Sequence, residues 1–165
     1  MSLIKSLGKN PSGKRLERIK QSPNYKNNAF QNLSPTAQLA DDSSFYTISK
    51  QSINKSKLVA PNKILPYIKT DLKRLRADEP VIVWFGHSSY LIKVNGKTIL
   101  VDPVFSGNAS PVSFIMKAFN GSNEYLADDM PEIDLLLLTH DHYDHLDFET
   151  LKQLHSKIKQ IYCPL

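Results

Sequence analysis

Cysteine is almost absent from this sequence: Cys163 is the only one in 165 residues. A single cysteine cannot close a disulfide within the chain, which excludes the small secreted folds that depend on several disulfides. Long apolar runs are absent too, because no stretch approaches the roughly 20 residues of a membrane-spanning helix. Residues 1–10 contain Lys5 and Lys9, and such an interrupted apolar segment argues against a secretory signal. We therefore expect a cytoplasmic location.

Acidic residues are scarce in the first half of the chain. Residues 1–80 contain 15 Lys or Arg and 6 Asp or Glu, whereas residues 81–165 contain 6 and 10 respectively. A basic segment can bind anionic lipid or nucleic acid, but here the positive charges are scattered along the chain rather than clustered. We therefore expect a solvated basic extension and no nucleic-acid partner.

Composition and apolar pattern divide the chain into three regions. Residues 1–60, rich in Ser, Asn, Gln and Lys, predict an irregular basic extension with one short helix around 16–19. Residues 61–80 predict a helical lead-in, and residues 81–165 predict the α/β domain itself, whose hydrophobic content suits a globular fold. The lead-in helix is expected over 64–76, where three apolar residues share one helical face: Ile68, Leu72 and Leu75.

Three short apolar runs predict adjacent strands at the start of the domain. Residues 81–85 are β-branched or aromatic and end at Gly86. Residues 89–94 and 97–101 flank Asn95-Gly96, and Asn-Gly between two apolar runs is the strongest short-range signal of a hairpin. The sequence therefore predicts an antiparallel pair with Asn95-Gly96 in the turn.

Two polar residues follow these strands directly. Asp102 ends the second strand of the hairpin, where it is either a turn residue before Pro103 or a functional carboxylate. His87 follows Gly86. A lone histidine at a strand end is more often a structural hydrogen-bonding residue than a ligand, so we do not count His87 among the metal ligands.

The stretch 133–147 combines a short apolar run with a cluster of metal-binding side chains. Residues 135–138 are four leucines, too few for a helix and typical of a strand buried on both faces. Imidazole nitrogens and carboxylate oxygens follow at once, and both are ligands of zinc and related ions. The spacing lets His140 and His142 bind one ion, and it lets Asp144 and His145 bind a second.

A helix is expected after this loop. Asp147 can cap its first turn, because a side-chain oxygen at that position accepts from free backbone amides. Leu151, Leu154 and Ile158 then lie on one face. The alternative for the whole segment, a solvated polar turn that happens to be rich in histidine, leaves this agreement between strand, loop and helix unexplained.

The segment Thr-His-Asp-His-Tyr-Asp-His-Leu-Asp at 139–147 resembles the signature of the metallo-β-lactamase superfamily. Residues 84–92 and 101–106 are similar to the branch that contains N-acylphosphatidylethanolamine-hydrolysing phospholipase D and its bacterial relatives. The resemblance implies the N-terminal half of an αβ/βα sandwich with a two-metal centre, most readily two Zn²⁺, with manganese and iron as alternatives. It also implies that Asp102 contacts a ligand histidine rather than a metal.

This resemblance implies an enzyme that hydrolyses a lipid phosphodiester through a metal-bound hydroxide. Asp144 would both bind metal and orient the attacking water. Thioesters, lactones, other esters and nucleic-acid phosphodiesters remain alternative substrates within the same fold. His140 and His142 are expected to hold one ion, and Asp144 and His145 the other.

The connection 103–132 is long for a loop, and such loops are usually functional. Its apolar residues either form a lip that accepts acyl chains or a membrane surface, or complete the core. On the first reading, Phe114 and Phe119 contact the lipid substrate, and the protein lies at the membrane periphery.

A different class of function also fits. After His145 the chain offers one further histidine, His155, whereas the superfamily takes further ligands from downstream. We therefore expect this chain alone to be an inactive metal-binding or interaction fragment that lacks its C-terminal half. Without its C-terminal half, this chain would leave an apolar sheet face uncovered. An uncovered apolar face favours pairing with the missing half or self-association.

Overall fold

A computed structural model describes residues 8–37, 39–40, 44–53, 57–76, 78–110 and 116–165. The described chain divides into two compact units: one comprises residues 9–60 with Leu165, and the other residues 61–164 with Gly8. Within the described residues, no helix has both the length and the apolar character needed to cross a membrane.

The first unit contains more regular structure than its composition predicts. Asn27 and Asn28 have φ angles of 54° and 62°, which Asn tolerates better than most residues and which a two-residue hairpin turn requires. The short helix expected around 16–19 is present within Gly13–Lys20, whereas the hairpin at Asn27-Asn28 and a second helix were not expected. The described elements are α1 (Gly13–Lys20), β1 (Tyr25–Lys26), β2 (Ala29–Phe30), α2 (Phe45–Ile53) and a 3-10 turn (Lys57–Val59).

A mixed five-stranded sheet forms the centre of the second unit. Its strands, in spatial order, are β3 (Val81–Gly86), β4 (Ser89–Val94), β5 (Lys97–Val101), β6 (Leu135–Leu137) and β7 (Ile161–Tyr162). The first three are antiparallel and the last three parallel. The predicted hairpin is confirmed: Asn95 and Gly96 form the turn with φ angles of 49° and 72°.

Helix α3 (Phe148–Leu154) follows the polar loop, as the sequence predicted. Asp147 caps it by accepting hydrogen bonds from the amides of Glu149 and Thr150, at 3.1 and 3.3 Å. The helix is shorter than predicted, because a 3-10 turn (His155–Lys157) follows it. Ile158 instead forms a parallel bridge with Ile133.

The core lies against one face of this sheet. Leu91, Leu100 and Leu136, from neighbouring strands, are fully buried there with Leu154 of α3. The opposite face is open on β3, where Ile82 and Trp84 are 69% and 68% exposed. In β6, Leu136 is fully buried whereas Leu135 and Leu137, on the other face, are only half-buried, which corrects the expectation of full burial on both faces.

The predicted helix over 64–76 is reduced to a 3-10 turn (Leu72–Arg74) among the described residues of the lead-in. The amide of Leu65 donates to the carbonyl of Asn120 at 2.9 Å, and that of Thr70 donates to the Tyr125 hydroxyl at 2.8 Å. Tertiary hydrogen bonds thus replace the local bonds a helix would make, and they hold the segment extended against the loop before β6.

Asp134 ties together three parts of the sheet, and this predicts an acid-sensitive contribution to stability. The Thr98 amide donates to its Oδ2 at 3.0 Å and Lys159 donates to its Oδ1 at 2.9 Å. These contacts hold the pKa of Asp134 below its ordinary value of 3.8. We expect Asp134→Asn to be less stable than the wild type at neutral pH, with a difference that disappears as the pH falls through the lowered pKa.

Urea unfolding midpoints measured from pH 7 to pH 2 check this expectation. Asp128→Asn, which removes the same charge from an exposed position, is the matched control. A stability difference between Asp134→Asn and the wild type that stays constant across this range would contradict the prediction.

Candidate metal centre

The predicted metal-binding side chains lie at one edge of the sheet. Strands β3 and β5 run in the same direction because each pairs antiparallel with β4, and β6 is parallel to β5. Their carboxyl ends therefore meet at this edge, where His87, Asp102 and the loop 139–147 follow them. Two backbone amides donate to the carbonyl of His142, at 3.0 and 2.7 Å, and close the turn of the loop.

Asp102 is a buried carboxylate beneath this loop, with 1% of its surface exposed. Its Oδ1 accepts from the Thr139 amide at 2.8 Å and its Oδ2 accepts from the Thr139 hydroxyl at 2.6 Å. Oδ2 also lies 2.7 Å from Nδ1 of His145. Because an ionised carboxylate only accepts, Nδ1 carries the proton and Nε2 keeps its electron pair for a metal.

These contacts also keep Asp102 ionised. Burial acts to raise the pKa of Asp102, but the hydrogen bonds from Thr139 and His145 outweigh burial and hold the pKa below the ordinary value of 3.8. The carboxylate therefore fixes the orientation of the His145 ring under physiological conditions.

Three potential ligand atoms converge beside His145. Nε2 of His87 lies 3.0 Å from Oδ2 of Asp144 and 3.3 Å from Nε2 of His145. The remaining pair, Nε2 of His145 and Oδ2 of Asp144, is separated by 3.8 Å. Among the described residues these three side chains form a group whose ligand atoms all lie within 4.8 Å of one another.

His87 is presented by the tight turn between β3 and β4. Its φ angle is 48° and that of Gly86 is 104°, a region that side chains other than glycine adopt uncommonly. The indole nitrogen of Trp84 donates to the His87 carbonyl at 2.9 Å. A Cβ on Gly86 would lie 2.8 Å from the Ser122 carbonyl oxygen, so the sequence needs glycine at this position.

His140 and His142 lie next to this group. The ring centroids of His140 and His145 are 3.9 Å apart, and those of His140 and His142 are 4.6 Å apart. The Thr139 hydroxyl oxygen lies 3.0 Å from Nδ1 of His140. Both side chains are exposed, so their rings can turn toward an ion without breaking a packed core.

The residues present suit a divalent metal. Imidazole nitrogen and carboxylate oxygen form the ligand set that zinc, manganese and iron share. The hydrogen bond from His145 to Asp102 supplies the outer partner that ligand histidines normally have.

The family model described as "Beta-lactamase superfamily domain" matches residues 81–162. These residues belong to the beta-lactamase superfamily. The α/β class predicted from the sequence is confirmed by this match and by the mixed sheet with α3. The matched residues begin with β3 and end with β7.

Three relatives are similar in sequence to this chain over part of their length. An uncharacterized protein of Mycobacterium tuberculosis is 31% identical over 135 residues, which are 81% of this chain and 36% of the relative. N-acyl-phosphatidylethanolamine-hydrolyzing phospholipase D 1 of Caenorhabditis elegans is 33% identical over 78 residues, 47% of this chain and 22% of that enzyme. A UPF0173 metal-dependent hydrolase of Sulfolobus acidocaldarius is 37% identical over 68 residues, 41% of this chain and 25% of the hydrolase. The chain therefore spans little more than a third of the length of the longest-matching of these relatives.

The structure brings the sequence-predicted ligands of the superfamily domain to one edge of the sheet, but not into one group. Asp144 and His145 lie together, whereas His140 and His142 adjoin them through ring contacts. Asp102 contacts His145 as the resemblance implied. Metal binding by each of these residues stays a prediction.

The sequence predicted no metal-binding role for His87, yet the structure places it in this group. A signal was available, because an antiparallel meander of three strands places the end of the first strand beside the end of the third. His87 and Asp102 follow those two ends. Strand direction, rather than residue type, would therefore have placed His87 at the site.

Of the two predicted substrate-contact residues, one lies in the described part of the chain. Phe114 lies outside the described residues, whereas Phe119 is 49% exposed. The amide of Ser122 donates to the Phe119 carbonyl at 3.0 Å, and the Ser122 carbonyl lies against Gly86. The turn that carries Phe119 thus adjoins the turn that carries His87.

Proposed function

We propose that this protein is a metal-dependent hydrolase of a lipid phosphodiester. The observation that carries the proposal is the convergence of His87, Asp144 and His145 above a buried Asp102, at one sheet edge of a superfamily domain. The names of two relatives, a metal-dependent hydrolase and a phospholipase D, support the reaction class and the substrate class respectively.

Each residue has a defined part in this proposal. His145 and Asp144 hold one ion, preferably zinc with manganese or iron as alternatives, and His140 and His142 hold a second. A bound divalent ion lowers the pKa of water toward about 7 and polarises the group under attack. Asp144 is half-buried, so its carboxylate remains within reach of solvent and can accept a proton from an attacking water. Asp102 contributes by keeping Nε2 of His145 free and correctly oriented.

A lipid substrate is supported by the surface beside the site. Phe119 is 49% exposed and lies on the turn that adjoins the turn of His87, where a large apolar side chain suits an acyl chain. We propose that Phe119 contacts the lipid and brings the protein to the membrane periphery.

To test this function, an affinity tag is added to the gene in its own host and the protein is purified from that host. The assayed chain is then the one that the cell makes. Vesicles containing N-acylphosphatidylethanolamine and soluble bis-(p-nitrophenyl) phosphate are the two substrates. We expect hydrolysis of both that depends on added Zn²⁺, Mn²⁺ or Fe²⁺ and stops on chelation. Metal-loaded protein that hydrolyses neither, or that prefers a thioester, a lactone or a nucleic acid, would overturn the proposal.

Phe119→Glu is expected to raise KM for the vesicle substrate about tenfold and to leave the soluble substrate unchanged. The substitution would place a carboxylate against the apolar acyl chains. A loss of roughly 1.4 kcal/mol in binding free energy corresponds to a tenfold loss of affinity. Leu126→Glu is the matched control, because Leu126 is another exposed apolar residue of the same unit. Equal losses on both substrates would show that Phe119 serves packing instead.

A further inference from the structure

We propose that His87 is a protein ligand of the ion held by Asp144 and His145. This chain then binds one ion through three protein ligands, and it does so independently of His140 and His142. The inference rests on the metal-binding part of the proposed function and is independent of the substrate.

The distances among the three ligand atoms carry the first step. They are 3.0, 3.3 and 3.8 Å, and the point in their plane that is equidistant from all three lies about 2.0 Å from each. Bonds from zinc to histidine nitrogen and to carboxylate oxygen are about 2.0–2.2 Å long. A single ion therefore fits between these atoms without movement of the backbone.

Hydrogen bonding alone accounts poorly for this convergence. His145 donates through Nδ1 to Asp102, so its Nε2 presents an electron pair. Oδ2 of Asp144 presents another. A proton on Nε2 of His87 can point at only one of these two acceptors, which leaves the other facing an electron-rich neighbour. A cation between the three atoms satisfies all of them.

The turn that presents His87 is held in a disfavoured conformation. His87 and Gly86 both have positive φ angles, and the turn is fixed on either side by the Trp84 indole and the Ser122 carbonyl. Backbone conformations of this kind are concentrated at functional sites, because the surrounding structure must maintain them. Here the result is a histidine aimed at Asp144 and His145 before any ion binds.

Among the described residues, no third ligand atom converges with those of His140 and His142. His140 and His142 are exposed and lie outside the group of converging atoms within the described part of the chain. Catalytic zinc sites generally use three protein ligands and leave one position open. His87, Asp144 and His145 reach that number, so their ion binds first and more tightly than an ion on the other pair.

The test measures metal binding by the 165-residue chain in a Cys163→Ser background. Apo protein is titrated with Co²⁺ and with Zn²⁺ in competition with a chelator, and the visible absorption of bound cobalt is recorded. We expect one tightly bound ion per chain. His87→Asn should weaken binding by at least the roughly 10–100-fold that loss of an outer partner costs, and asparagine tolerates the positive φ of this position.

Three further variants separate a ligand from a structural residue. His155→Asn, which changes an exposed histidine of the same unit, should bind as the wild type does, and the His140→Ala, His142→Ala double variant should still bind one ion. His87→Glu, whose carboxylate reaches about as far from the backbone as Nε2 of the imidazole, should bind more tightly than His87→Asn and shift the visible absorption of bound cobalt, which replacement of a merely structural residue would not do.

Wild-type affinity in His87→Asn, or a double variant that binds no ion, would overturn this inference while leaving the hydrolase proposal in place. Conversely, a complete set of expected binding results without any turnover of the two phosphodiesters would overturn the function and leave the ligand assignment intact.

Discussion

Asp102→Asn is expected to lower the metal affinity of the chain by roughly 10–100-fold, although Asp102 itself contacts no metal. The carboxylate accepts from the Thr139 amide, the Thr139 hydroxyl and Nδ1 of His145. An asparagine side chain retains one acceptor oxygen but turns an NH₂ group toward one of these donors. The proton of His145 then loses its partner, and the ring is no longer held with Nε2 toward the ion.

The same substitution should destabilise the folded chain. Hydrogen bonds to a charged group contribute about 1.5–3 kcal/mol each, and Asp102 is almost completely buried. The φ angle of Asp102 is 41°, which asparagine adopts readily, so the backbone of the site is retained. We expect a loss of about 1.5–3 kcal/mol in the free energy of unfolding of the apo protein.

Chelator competition and urea unfolding measure these two effects. The matched control is Asp78→Asn, which removes a carboxylate from an exposed ion pair with Arg76, because surface pairs of this kind contribute little. Unchanged affinity and stability in Asp102→Asn would make Asp102 an ordinary turn residue before Pro103.

Asp144→Asn is expected to reduce kcat for bis-(p-nitrophenyl) phosphate by about 10²–10⁴-fold, the range of general acid–base contributions. Asparagine preserves the shape of the side chain but removes both its charge and its ability to accept a proton from water. Asp144 combines proximity to His87 and His145 with partial exposure, so the carboxylate can serve a metal and a water together.

Metal content must be measured in the same samples as kcat. If kcat stays low when metal is saturating, Asp144 acts on the water as well as on the ion. If saturating metal restores kcat, Asp144 acts as a ligand only. Asp141→Asn, on the same loop and with an exposed side chain, is the matched control. A variant within twofold of the wild type in both metal affinity and kcat would remove Asp144 from the mechanism.

Local signals allowed much of the domain to be predicted. The hairpin at Asn95-Gly96 and the cap at Asp147 depend on residues close to one another in sequence, and the structure contains both. The apolar run 135–138 gave strand β6. The partial exposure of its other face was missed, because burial depends on what packs across the sheet and not on the run itself.

The errors have a common physical origin in long-range contacts. Residues 64–76 have a helical apolar pattern, yet the amides of Leu65 and Thr70 bond to Asn120 and to the Tyr125 hydroxyl. His87 belongs to the site only because the sheet brings three strand ends together. Neither relation follows from neighbouring residues, whereas strand direction, once the hairpin is assigned, does place His87 beside Asp102.

The strand order has a consequence for the rate at which the site forms. β3, β4 and β5 are joined by two-residue turns, and hairpins of this kind form within about 1–10 μs. β6 pairs with β5 across the whole connection between Val101 and Leu135, so its docking requires closure of a long loop and is slower. We therefore expect His87 and Asp102 to be placed early, and Asp144 and His145 to arrive with the late strand. An ion that binds His87 together with Asp144 and His145 is then expected to slow unfolding and to leave the folding rate unchanged.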